Sequence, residues 1–109
     1  MISFEEFKKV EIKVGKILSA EKVPDTDKLL KLSVDVGEEG PRQIVSGISL
    51  YFPDCSVLVG KKCMFVTNLE PRVICGVESQ GMILAVSAID GNFSLISPDD
   101  NILVGTLAS

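Results

Sequence analysis

The sequence contains no histidine, no tryptophan and a single tyrosine. Without histidine, a Ser-His or Cys-His catalytic pair is excluded, and so is a mixed cysteine and histidine zinc site. The cysteines, Cys55, Cys63 and Cys75, are odd in number, far apart and form no C-x-x-C pair. They read as reduced thiols, with no metal site expected. Cys63, inside KKCMFVTN, is expected as a small core residue. No apolar run approaches the roughly 18 residues of a membrane-crossing helix, and the charged first stretch has no signal-peptide core. A soluble cytoplasmic protein with no membrane partner is the expectation. No phosphate-cradling loop and no general acid–base pair is visible, so no cofactor is expected and a non-catalytic role is favoured.

What is present is the composition of an ordinary globular chain. With 46% hydrophobic and 24% charged residues, one core can form without staples, and a single domain over residues 1–109 is expected. In SFEEFKKV, Ser3 is followed three places later by Glu6, a capping-box pattern, and Phe4, Phe7 and Val10 recur at helical spacing. A short N-terminal helix is predicted. From Val10 the period becomes two: Val10, Ile12 and Val14 share an inward face, Glu11 and Lys13 face outward, and after Gly15 the apolar set moves to Ile17. A glycine at such a phase break predicts a β-bulge in one long, bent strand.

VPDTDK supplies turn residues before LLKLSVDV alternates, with Leu30, Leu32, Val34 and Val36 inward and Lys31, Ser33 and Asp35 outward. GEEGP closes a hairpin into RQIVSGI. Beyond the irregular SLYFPDCSVLVG come the strands KKCMFVTN, GMILAVSAI and, past DGN, the short FSLI. Strands at intervals of about ten residues with no long helix between them argue for an antiparallel barrel or sandwich. Five main strands, the first strongly bent, fit an all-β, five-stranded Greek-key barrel of the OB type. Periodicity alone leaves an SH3-like barrel open.

The stretch VEIKVGKILSAEKVPDTDKLLKLSVDVG, followed in order by VSGI, LVGKK and NLEPRVICGVESQGMILAVS, closely resembles one family. It is the tRNA-binding domain found at the C-terminus of bacterial methionyl-tRNA synthetases. The same domain occurs as stand-alone dimeric tRNA-binding proteins, in the endothelial monocyte-activating polypeptide family and in a secretion-associated chaperone. The resemblance covers roughly residues 4–107, and its Asn-Leu-x-Pro to Ser-x-Gly-Met block is the specific part. It implies an OB-fold that binds the outer corner of tRNA by shape more than by sequence. It further implies a homodimer, acting in cis or in trans to a methionyl-tRNA synthetase catalytic chain. The resemblance assigns this block to tRNA contact and, by position, its Ser79 and Met82 to the dimer-forming part of the barrel.

Charge bears on that activity. The chain has 11 basic and 15 acidic residues, a net −4, which argues against strong nonspecific nucleic-acid binding. The distribution is uneven: seven lysines stand against four acids between residues 8 and 31, and no basic residue follows residue 80. Lys13 and Lys31 on the first two strands, with Lys28 from the same basic stretch and Arg42 and Ser46 on the third strand, are expected to form the binding face. Asn68 is expected to cap the turn at Pro71 or to meet a base edge, Ser79 and Gln80 to offer polar contacts to phosphate or ribose, and Arg72 to complete the RNA-binding set.

Two departures from the family pattern weigh on the other side. Members commonly carry a lysine two residues after the proline and an arginine just before the glycine, where this chain has Val73 and Cys75. Arg72, by strand alternation, is expected on the opposite face from that pair. The histidine-proline that often opens the first turn is here Val23-Pro24. Two alternatives therefore stay open beside tRNA binding: a dimerisation or assembly module with a weakened RNA face, and a chaperone-like peptide binder displaying an exposed apolar patch.

Overall fold

The computed structural model describes all 109 residues. Ser3 caps a helix, α1 (Phe4–Phe7): its hydroxyl accepts from the Glu6 N–H at 3.1 Å, and the Glu6 carboxylate accepts from the Ser3 N–H. So short a helix gains little from propensity and needs packing to hold it. Yet Phe4, Phe7 and Val10 all remain exposed, Phe4 by 72%.

Nine strands follow: β1 (Ile12–Lys22), β2 (Leu30–Asp35), β3 (Arg42–Ser46), β4 (Lys62–Val66), β5 (Arg72–Ile74), β6 (Val77–Ser79), β7 (Met82–Ile83), β8 (Ala85–Ser87) and β9 (Phe93–Leu95). One antiparallel sheet runs in the order β3-β2-β1-β4-β7. Its two ends approach each other because the chain entering β7 lies along the free edge of β3. There the Gln80 N–H donates to Gln43 O at 2.7 Å, and Ser79 Oγ accepts from the Val45 N–H at 2.9 Å. The sheet is thereby nearly closed into the expected OB-like barrel. Ile17, Leu30, Leu32, Val34, Ile44, Cys63 and Phe65 fill it, with Leu58 inserted from the 3-10 turn Cys55–Leu58. Burial of each large side chain contributes about 1.5–3 kcal/mol. No helix is long and apolar enough to cross a membrane.

β1 differs from its sequence reading in two ways. Lys13 pairs directly with Phe65 and Gly15 with Cys63, so Lys13, Gly15 and Ile17 share the core face and Val14 lies on the opposite one. Val14 is buried all the same, where the C-terminal segment pairs with it through Gly105 and Thr106. With both faces covered, alternation does not reveal which is inward. The bulge is also displaced: pairing with β2 slips between Ile17 and Ser19, which makes Leu18 the extra residue. Gly15 is small for another reason, since a Cβ there would stand 2.6 Å from the Phe65 ring.

The stretch 81–89, read as one strand, is broken at Leu84. β7 pairs with β4, the Leu84 N–H donates to Met64 O, and β8 turns away to pair with β9. Tyr51 stacks on Phe93 of β9 with ring centroids 4.0 Å apart.

Candidate nucleic-acid interface

Directly paired residues in a sheet share a face. Register therefore places Ser19 beside Ser33 and Ser33 beside Gln43, with Glu21 next to Lys31, all on the outer surface of β1, β2 and β3. Ser19, Lys31, Ser33 and Gln43 line a shallow polar cleft with Arg42 and Gln80. Past Lys31 the surface continues to Lys22, Val23, Pro24 and Val77. One flank is thus the turn between β1 and β2, where Lys28 is exposed, and the other is an arm made of residues 68–80.

The arm is the β5–β6 hairpin. Its tip, Cys75 and Gly76, has φ of 49° and 80°, the left-handed pair of a type I′ turn that matches the twist of the flanking strands. Val73 is 71% exposed opposite Glu78, while Arg72 pairs with Ser79 and so lies on the other hairpin face. The polar block around this hairpin holds it to the barrel. Asn68 accepts from the Glu11 N–H at 2.8 Å and donates to Lys9 O at 2.6 Å, so it ties the arm to the chain before β1 and does not cap the Pro71 turn. Ser79, expected at the surface, is 4% exposed, and its hydroxyl accepts from Val45 N–H and donates to Gly81 O. Gln80 accepts from the Gln43 N–H, and Met82 is 45% exposed beside it.

Of the basic residues nominated together, Lys31 and Arg42 both line the cleft, although they differ in register phase, and Lys13 does not line it. Arg42 sits opposite Val34 and Ser46 opposite Leu30, in phase with core residue Ile44, whereas Lys31 points outward. Simple alternation through RQIVS carried that signal. Lys13 lies on the core face of β1 and pairs with Glu11 at 3.4 Å, Lys31 pairs with Glu21 at 2.7 Å, and Arg42 pairs with Glu38 at 2.7 Å. Thr67 donates to the Glu11 carboxylate at 2.6 Å and, with Lys13, holds it below its ordinary range. The Arg42 fork does the same for Glu38, and Glu38 in turn pushes the guanidinium up. Lys16, Lys22, Lys28, Lys61 and Arg72 have no carboxylate partner. Ser19, Ser33 and Gln43 were not nominated from sequence, although the outward phase of Ser33 was visible beside Lys31.

A lysine-flanked polar cleft on the outer sheet of an OB-like barrel is the usual place for nucleic acid in that architecture. A family model described as "Putative tRNA binding domain" matches residues 12–107. The chain belongs to the tRNA-binding domain family. It is 47% identical over 106 residues to a methionine–tRNA ligase of Methanococcus aeolicus and 54% identical over 105 residues to one of Methanospirillum hungatei. Those matches cover 97% and 96% of this chain but 15% of each ligase, so the tRNA-binding domain corresponds to a small, non-catalytic part of them. A solved structure of a MetRS-related protein from Pyrococcus horikoshii has a TM-score of 0.92 at 42% identity and covers 100% of this chain and 98% of that one. A CsaA chaperone structure from Picrophilus torridus has a TM-score of 0.87 at 27% identity, with both chains fully covered.

Proposed function

We propose that this tRNA-binding domain grips the folded corner of tRNA by shape and phosphate contact, without base-specific readout, and so raises a methionyl-tRNA synthetase's hold on its substrate in the cytoplasm. The observation that carries the reading is the polar cleft of Ser19, Lys31, Ser33 and Gln43, flanked by Lys22 and Lys28, in a chain whose family is tRNA-binding. Short hydroxyl and amide side chains suit ribose and phosphate oxygens, and the flanking ammonium groups track backbone charge. Arg72 on the arm and Lys28 on the opposite turn provide two separated phosphate contacts. Self-association into a homodimer is part of the proposal: Met82 and the α1 side chains Phe4 and Phe7 offer exposed apolar surface for it.

The deciding experiment is a titration of unfractionated tRNA with the purified protein at two salt concentrations, with its mass determined by light scattering. Salt-sensitive binding by a dimer is expected. A Lys22→Ala, Lys28→Ala, Lys31→Ala variant should bind all tRNA species more weakly, with the slope of log affinity against log salt reduced by about 0.7–0.9 for each lost phosphate contact. No binding at low salt would overturn the proposal. A second reading, peptide binding, is supported by the exposed Ile2, Phe4, Phe7 and Val10 and by the likeness to the CsaA chaperones. Competition between an unfolded polypeptide and tRNA would bring it forward.

A further inference from the structure

The arm leaves the barrel at Thr67, after β4, and returns at Gln80, before β7. Its own strands bury little: only Ser79 among the residues of β5 and β6 is fully covered. Apolar packing, limited to half-buried Ile74 and Val77, therefore holds its angle to the cleft only in part, and polar contacts at its two roots do the rest. One side chain reaches both roots. Arg42 Nη1 donates to the carbonyl oxygens of Thr67 and Gln80, while Nε and Nη2 fork onto the two Glu38 carboxylate oxygens at 2.8 and 2.7 Å. Glu38 belongs to the turn between β2 and β3, so a single guanidinium joins that turn to both ends of the arm.

We propose that Arg42 is a positioning residue that latches the neck of the arm, with Glu38 orienting its guanidinium, so that tRNA meets arm and barrel as one rigid surface. This rests on the tRNA-binding reading above. Only the planar fork of an arginine can satisfy a carboxylate on one edge and two carbonyls on the other; an ammonium presents a point charge and not a fork. These contacts use four of the five guanidinium N–H groups, so a phosphate could take Arg42 bidentately only by displacing Glu38, and the neck would lose its orienting partner. Gln80 with Gln43, and Ser79 with Val45, extend the latch along β3.

Glu38→Gln separates the latch from a direct phosphate contact, because the two roles predict opposite signs. A phosphate-binding Arg42 would be released by the variant and would hold tRNA more tightly. A latch would loosen and bind more weakly. Arg42→Lys keeps the charge, so weaker binding there is not a loss of charge. We would measure tRNA affinity together with hydrogen exchange at the Gln43, Val45 and Gln80 amides, whose acceptors lie at the neck, using the amides of β1 and β2 as internal reference. Charge-assisted hydrogen bonds of this kind predict about tenfold faster exchange at the neck in both variants and about tenfold weaker tRNA binding, with the reference amides little changed. Neck exchange at the wild-type rate, or tighter binding by Glu38→Gln, would overturn the latch. A wild-type protein that ignores tRNA would defeat the tRNA reading alone, since the exchange rates judge the latch without any ligand.

Discussion

Replacing Gly15 with alanine probes the packing of β1 at a single atom. An ideal Cβ there would stand 2.6 and 2.8 Å from two ring carbons of Phe65 and 2.8 Å from a methyl carbon of Val34. Carbon atoms in contact settle at about 3.5–4.0 Å, so each neighbour must give by nearly an ångström. Neither is the loose end of a flexible side chain: Phe65 and Val34 are both fully buried in the core. Overpacking of a tight interior costs about 1–3 kcal/mol, and compression from two sides places this case near ~2–3 kcal/mol. The φ of Gly15 is not left-handed, so the reduced freedom of the unfolded chain offsets up to ~1 kcal/mol of that. A net loss of about 1–2 kcal/mol remains. In urea, with a slope of about 2 kcal/mol per molar, the unfolding midpoint should fall by roughly 0.5–1 M at unchanged slope. Gly40→Ala is the matched control, since nothing lies within 4 Å of its Cβ position. It should be neutral or stabilising by less than ~1 kcal/mol. Equal midpoints for Gly15→Ala and Gly40→Ala would refute the packing of β1 against Phe65.

Ser79→Ala should destabilise by about 1–3 kcal/mol in the same urea assay, because it strips the buried Val45 N–H of its acceptor. Native alkylation followed by mass spectrometry should modify exposed Cys75 first, whereas buried Cys63, whose thiol is pushed up by burial, should react only after unfolding. Glu11 and Glu38 titrate below their ordinary value of 4.5 in the folded chain. The unfolded chain therefore binds more protons, and their contribution is present above that value and lost as pH falls through the lowered folded values. A Glu11→Gln, Glu38→Gln variant should show a shallower fall of the thermal midpoint across that acid window, and an equally steep fall would remove both pairs from the account.

The barrel was legible because β2 buries one face and only half-buries the other: from Leu30 to Val36 apolar and polar residues alternate without a break, and the register then places β1 and β3. β1 was not, because both of its faces are covered, one by the core and one by the C-terminal segment, so apolar residues on either side look inward. The strand end at Leu84 was hidden for a related reason. GMILAVSAI is apolar apart from Ser87, and nothing around Leu84 marks where pairing passes from β4 to β9. Within the candidate site, alternation gives the outward phase of Lys31, while Arg42 reaches the same cleft from a strand position in phase with core residue Ile44, and Ser46 lies opposite buried Leu30. Asn68, Ser79 and Gln80 were recognised as a distinctive polar block, but sequence does not say whether a polar side chain faces a ligand or its own backbone. Only the long-range bonds to residues 9–11 and to β3 reveal the second role.

Those bonds change what the net charge of −4 means for tRNA. A cation already held by a carboxylate serves a phosphate only after the first pair is broken, so the basic residues have an order of availability. Lys22, Lys28 and Arg72 have no acid to release. Lys31 comes next: its pair with Glu21 is exposed on both sides, and such pairs are worth about 0–1 kcal/mol, so exchanging that carboxylate for a phosphate costs little. Lys13 lies deeper, on the core face of β1. Arg42 comes last, with a bidentate carboxylate and two backbone carbonyls to surrender. On the proposed reading, the cationic surface offered to tRNA is therefore the rim of the cleft, the turn between β1 and β2 and Arg72 on the arm, while the strongest fork in the molecule, that of Arg42, would hold the arm in place. Val73 and Cys75, the two positions where the family resemblance leads one to expect cations, lie on this same arm. What the arm would bring on that reading is the single cation Arg72 and its own placement, and the placement is what the neck contacts preserve.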